Sequence, residues 1–200
     1  MSITPYQVYV FPLPKVVFFP HTSVALQVSE PRYLKMVKDS LLNKVPIALV
    51  PEFILNDSPF PPVCSMGMPS ILQKKSDGSA VIMLHYVEKI SLVSQLRQDP
   101  YLVYNCFPVL ENEQLELENR FRFNRIRQEL LAFTAKSYNP KAREQFWEKV
   151  KNHGQIINHA CLHLLKDPKQ QQELLEQENI NQRLNLLLTF LDDSNLQVTL

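Results

Sequence analysis

A few groups of residues in this chain have the types and spacing to do chemistry. His159-Ala160-Cys161-Leu162-His163 sets two imidazoles four residues apart, on one face of a helix, a geometry that can chelate zinc. No glutamate stands where an H-E-x-x-H site would need its general base, so the expectation is an inward Cys161 with both histidines hydrogen-bonded at the surface. Arg120, Arg122, Arg125 and Arg127 interleave with Phe121 and Phe123 in the manner of a nucleic-acid patch. However, Glu111, Glu113, Glu116 and Glu118 lie just upstream, and Glu118–Arg122 and Arg125–Glu129 have the i, i+4 spacing of helical ion pairs. A solvated, salt-bridged helix is therefore expected. His85, Tyr86 and Glu88 suggest acid–base work, yet a strand puts Tyr86 and Glu88 on one face and His85 on the other, which reads as structural. Asp192 and Asp193 are neighbours at a helix end and point apart. No serine or lysine is marked as an activated nucleophile, and no catalytic residue is assigned.

The segment Pro51–Met68 is a different kind of candidate. Phe53, Ile54, Leu55 and Phe60 stand among prolines, Asn56 and Asp57. Apolar residues in a proline-stiffened loop can form a preorganised surface, so these four are the candidate polypeptide-binding residues. The alternative is that they plug an open end of a barrel.

Composition narrows the classes. The chain has 200 residues, 45% hydrophobic and 20% charged, enough to bury a core. A net charge of +1 points to neither a nucleic-acid nor a membrane partner. No apolar run reaches the length of a membrane span, and the N-terminus lacks the pattern of a signal peptide. Cys64, Cys106 and Cys161 are odd in number and far apart, which favours reduced thiols and a cytoplasmic location. The glycines, Gly67, Gly78 and Gly154, are too scattered for a phosphate-cradling loop, and both common nucleotide-binding fingerprints are missing.

The elements fall into two regions. Thirteen of the fifteen prolines lie at or before Pro108. Short β-prone runs predict strands at Gln7–Phe11, Lys15–Phe19, Val24–Val28, Pro46–Val50, Pro69–Lys74, Ala80–Leu84, Lys89–Leu96 and Leu102–Pro108, with Ser76-Asp77-Gly78-Ser79 as a hairpin turn. One helix, about Pro31–Leu42, interrupts them, with Ser29 or Glu30 as its cap and Pro31 in its first turn. Many short strands and one helix predict a strongly bent sheet or partly open barrel over residues 1–111. Residues 112–200 read as a helical bundle: Phe123, Ile126, Leu130 and Phe133 mark one helix, about Lys141–Lys166 a second, and Pro168–Leu191 a third region.

Phe11-Pro12-Leu13-Pro14, Val17-Phe18-Phe19-Pro20 and above all Glu30-Pro31-Arg32-Tyr33 before a helix carry a family resemblance. It extends through Val63–Leu72 with Asp77-Gly78, and through Pro168-Lys169-Gln170, Leu174-Leu175-Glu176 and Arg183-Leu184. The chain resembles the N-terminal, substrate-binding domain of the Lon (La) ATP-dependent protease family, as a stand-alone LON domain. In His85–Leu92, Tyr86 and Lys89 replace the family's usual glycine and arginine. The resemblance implies an α+β fold: a PUA-like, strongly bent β-sheet or pseudo-barrel with one helix, then a C-terminal helical bundle. It also implies a non-catalytic polypeptide-binding module for substrate recognition or adaptor work, without ATPase or peptidase parts and with no cofactor or metal. Its expected partners are unfolded or extended polypeptide and an ATP-dependent protease. The alternative, an RNA-binding PUA-like module, is disfavoured by the near-neutral charge.

Overall fold

The computed structural model describes residues 5–57 and 61–198. The chain divides into two compact units, Met1–Val109 and Leu110–Leu200.

The first unit contains β1 (Tyr6–Leu13), β2 (Ser23–Val28), α1 (Pro31–Asn43), β3 (Ile47–Pro51), α2 (Glu52–Asp57), β4 (Val63–Lys74), β5 (Ala80–Arg97) and β6 (Leu102–Pro108). The expected pseudo-barrel with one helix is corrected here. The strands form one mixed six-stranded sheet in the order β2-β5-β4-β3-β1-β6, with a second helix, α2, after β3. The β1–β3 pair is parallel and the other pairings are antiparallel. The miss came from counting many short strands. Two predicted runs fuse into the 18-residue β5, which is long enough to pair with β2 along its first part and with β6 along its second.

The buried residues follow from this sheet. β1 sends Tyr9 and Phe11 into one apolar cluster and Val8 and Val10 into another; β3 divides Ile47 and Leu49 from Ala48 and Val50 in the same way. Strands buried on both faces read as continuous apolar runs, as β3 does. The first cluster is covered by α1 through Tyr33, Met36 and Val37, and Leu55 of α2 packs on the second. Lys15–Phe19, expected as a strand, is irregular, although Val17, Phe18 and Phe19 are all buried. Its turn is closed by the Thr22 hydroxyl, which donates to the Phe19 carbonyl at 2.7 Å. In β4, Gly67 sits at a register shift so close to β5 that a Cβ there would lie 2.4 Å from the His85 carbonyl oxygen.

In the second unit a short 3-10 turn leads into α3 (Arg120–Ser137), α4 (Pro140–Lys149), α5 (His153–Leu164), α6 (Pro168–Glu176) and α7 (Ile180–Val198). The single helix expected over Lys141–Lys166 is two. α4 stops at Lys149, and Asn152 starts α5 in a reciprocal capping box with Gln155. Phe123, Ile126 and Leu130 are buried on α3 as their spacing requires.

The unit is organised around a buried cation. Arg183 is 1% exposed. Its guanidinium donates to the carbonyls of Leu174 and Gln177, to Asn158 Oδ1 and to the Glu111 carboxylate. It thereby joins α5, α6 and α7 to the start of the unit. Elsewhere in the unit, Phe133, Tyr138, Phe146 and His159 surround His163, whose ring stacks on Phe133 at 5.2 Å and on His159 at 5.7 Å.

Two predictions concern this unit, and Trp147, the only tryptophan, lies within it as a probe. Arg183→Ala removes a buried guanidinium together with its four hydrogen bonds and its ion pair with Glu111, so it is expected to lower stability by about 3–5 kcal/mol, read by urea denaturation followed through tryptophan fluorescence. Burial holds His163 below its ordinary pKa of 6.5. The unfolded chain therefore takes that proton more readily, so the contribution is complete above about pH 6.5 and is lost as pH falls below it. His163→Phe is expected to flatten this acid limb of the melting-temperature profile.

Candidate functional site: an apolar groove beside the first helix

Glu30-Pro31-Arg32-Tyr33 fixes where α1 begins. Pro31 occupies the first turn, and the Glu30 carbonyl accepts from the amides of Tyr33 and Leu34, each at 3.0 Å. Glu30 is the N-cap residue, one of the two positions expected, but its side chain makes no capping bond and pairs with Arg32 at 2.9 Å instead. Tyr33 stacks on Phe11 of β1 with ring centroids 4.3 Å apart, and the Arg32 guanidinium lies 4.5 Å from the Tyr33 ring centre.

Polar bonds then hold one flank of the helix. Asp39 accepts from the Tyr101 hydroxyl at 2.6 Å and from Lys35 Nζ at 2.8 Å. Asn43 donates to the Tyr9 hydroxyl at 3.3 Å, and the Ser40 hydroxyl to the Val45 carbonyl at 2.6 Å. The bonds from Lys35 and then Tyr101 keep the Asp39 carboxyl below its usual range. Burial, reinforced by the bond to Asp39, pushes the Tyr101 phenol up.

At about 100° per residue, Leu34, Lys38 and Leu41 fall on the flank away from Asp39 and Asn43, and Leu42 falls on the outward face beside them. They face the distal part of the β4–β5 hairpin across a groove of about 520 Å³, to which Ile71, Lys74, Lys75 and Gly78–Ala80 contribute the other wall. Leu42 is 69% exposed, Ile71 42% and Leu41 40%. The hairpin turn is locked: Asp77 accepts from the Ser79 amide at 2.9 Å and hydroxyl at 2.7 Å, which holds its carboxyl low. Gly78 supplies the positive φ of 85°. Lys75 Nζ reaches Gln27 Oε1 of β2 at 3.0 Å. Among the described residues, β2 pairs with β5 alone, so its other edge is unpaired by any strand.

The sequence candidates are distributed differently. Phe53, Ile54 and Leu55 lie on α2 rather than in a loop: Phe53 is half-buried, Ile54 is buried at 5% exposure, and Leu55 is half-buried against the second cluster. Phe60 lies outside the described residues. His85 bonds to Ser70 at 3.0 Å and Ser23 at 3.4 Å, while Glu88 accepts from the Tyr6 hydroxyl. His159 and His163 stack within the aromatic cluster, and Cys161 is buried. No group of three or more metal-ligating residues is assembled among the described residues. Arg125 pairs with Asp192 and, at 3.5 Å, with Glu129; Arg122 donates to Asn119 rather than pairing with Glu118. The groove residues themselves were missed. The one available signal was the Leu41-Leu42 pair, which is wider than a single buried stripe needs.

The architecture is thus a mixed sheet carrying a helix-walled apolar groove in the first unit and a helical bundle in the second. The model of the ATP-dependent protease La (LON) substrate-binding domain matches residues 7–193, and the chain belongs to that family. The matched module is the substrate-binding part of such proteases and is non-catalytic. Two solved structures share the fold. The Lon N-terminal domain protein from Xanthomonas campestris is 19% identical with a TM-score of 0.60, over 92% of this chain and 98% of that one. The N-terminal domain of Mycobacterium avium complex Lon protease is 14% identical with a TM-score of 0.71, over 94% and 99%. No match is found among curated proteins. No helix among the described residues is long and apolar enough to cross a membrane.

The anchoring of α1 is directly testable. Tyr101→Phe removes a hydrogen bond to a charged acceptor and is expected to lower stability by about 1.5–3 kcal/mol in chemical denaturation.

Proposed function

We propose that this domain recognises extended or unfolded polypeptide through the groove between α1 and the β4–β5 hairpin, as a substrate-recognition or adaptor module serving an ATP-dependent protease. The observation that carries the reading is the groove itself. Leu41, Leu42 and Ile71 stay exposed on facing walls because the opposite flank of α1 is tied to the sheet. Apolar side chains of an unfolded chain gain by leaving water there. The unpaired edge of β2 offers main-chain hydrogen bonds to the same extended ligand. Phe53, with Phe60, supplies a second and separable contact. A cytoplasmic setting belongs to the proposal, supported by three cysteines that are free thiols.

The test is binding of a reduced, permanently unfolded model protein. Leu42→Ser with Ile71→Ser is expected to weaken binding at least tenfold while circular dichroism and melting stay near wild type. Unchanged binding by the folded double variant sinks the groove assignment. Phe53→Ser is expected to have a smaller effect and to add to it.

A further inference from the structure

The lysines of the groove are distributed in a way that its apolar character does not require. The chain as a whole carries +1. Yet the groove lining holds Lys38 on the helical wall and Lys74 and Lys75 on the hairpin wall, with no aspartate or glutamate among its described lining residues. The nearest hairpin carboxylate, Asp77, bonds to Ser79 and also interacts with Lys75, offsetting part of that lysine's charge, so Lys38 and Lys74 chiefly carry the positive rims. Lys75 spends one donor on the Gln27 amide oxygen and retains others. Lys38 and Lys74 are exposed. Long lysine stems lie along apolar surface and leave the ammonium at the water boundary. The groove is thus apolar at its floor and positive along both rims.

From this charge distribution we infer that the groove selects a particular class of polypeptide: segments in which a short apolar core is flanked by aspartate or glutamate. The inference rests on the groove reading above and sharpens it. Apolar side chains fill the floor, and flanking carboxylates meet Lys38 on one side and Lys74 or Lys75 on the other. A basic flank would set like charges against both walls, which is discrimination by repulsion as well as by attraction. Each exposed pair is individually weak, but several acting together give about tenfold, and the preference shrinks as added salt shortens the screening length.

The experiment uses the full chain and fluorescently labelled synthetic peptides. They share one apolar core, Leu-Ile-Phe-Leu, and carry glutamate, serine or lysine flanks; a polyglutamate peptide has no apolar core. Anisotropy is read at low and high salt, with wild type, K38E/K74E and L42S/I71S. The glutamate-flanked peptide is expected to bind wild type about tenfold more tightly than the lysine-flanked one at low salt. K38E/K74E is expected to abolish or reverse that order, and L42S/I71S to weaken both. If all three flanks bind alike and remain sensitive to L42S/I71S, the charge inference fails while the groove reading stands. If polyglutamate binds as well as the cored peptide, the lysines form a general polyanion site and the inference fails. If wild type binds no cored peptide, or L42S/I71S changes nothing, the groove reading itself fails.

Discussion

Everything at the groove depends on one restraint: α1 cannot roll. An amphipathic helix lying on a sheet lowers its free energy by rotating until its apolar stripe is covered. Here the rotation is blocked from the far side. Asp39 is bound to Tyr101, Asn43 to Tyr9, and Tyr33 is stacked on Phe11. Rolling α1 toward the hairpin to bury Leu41 and Leu42 would break these contacts and take the Tyr101 hydroxyl away from the Asp39 carboxylate. The exposed leucines are thus a consequence of polar bonds on the opposite flank of the same helix.

The second unit shows the same logic with a charge at its centre. Arg183 is almost fully buried, and its charge is tolerated because four acceptors from three segments converge on it. Two of those acceptors, the Leu174 and Gln177 carbonyls, belong to the end of α6, where a helix has orphan carbonyls to satisfy. The arginine therefore serves as a shared cap and as a fastener between helices.

The sequence was informative where a residue type has one mechanical use. Pro31 placed the start of α1, Asp77-Gly78 placed the hairpin turn, and the period of Phe123, Ile126 and Leu130 placed the buried face of α3. The family was legible in Glu30-Pro31-Arg32-Tyr33 and its flanking strands, as the match over residues 7–193 shows. Sheet topology was not legible, because the fused β5 and its register shifts depend on which strands become neighbours, a fact no local pattern contains. The break before Asn152 was missed because apolar periodicity continues across it, while α4 stops at Lys149 and a side-chain capping box starts α5 afresh. The groove was illegible for a related reason. Leu42 and Ile71 each look ordinary in their own element, and only the tether of α1 leaves them facing one another uncovered.

The two walls of the groove have different rulers. Along α1, side chains on one face recur roughly every 5.4 Å, the helical pitch. Along the β4–β5 wall, side chains on one face recur roughly every 6.8 Å, two residues of antiparallel strand. The two series drift out of phase, like the scales of a vernier, so a chain aligned with one wall falls progressively out of step with the other. A surface built this way sets no exact spacing of side chains along an extended chain. On the proposed reading, such a groove would match a chain by where its greasy and charged groups cluster, a criterion that many unrelated chains can meet.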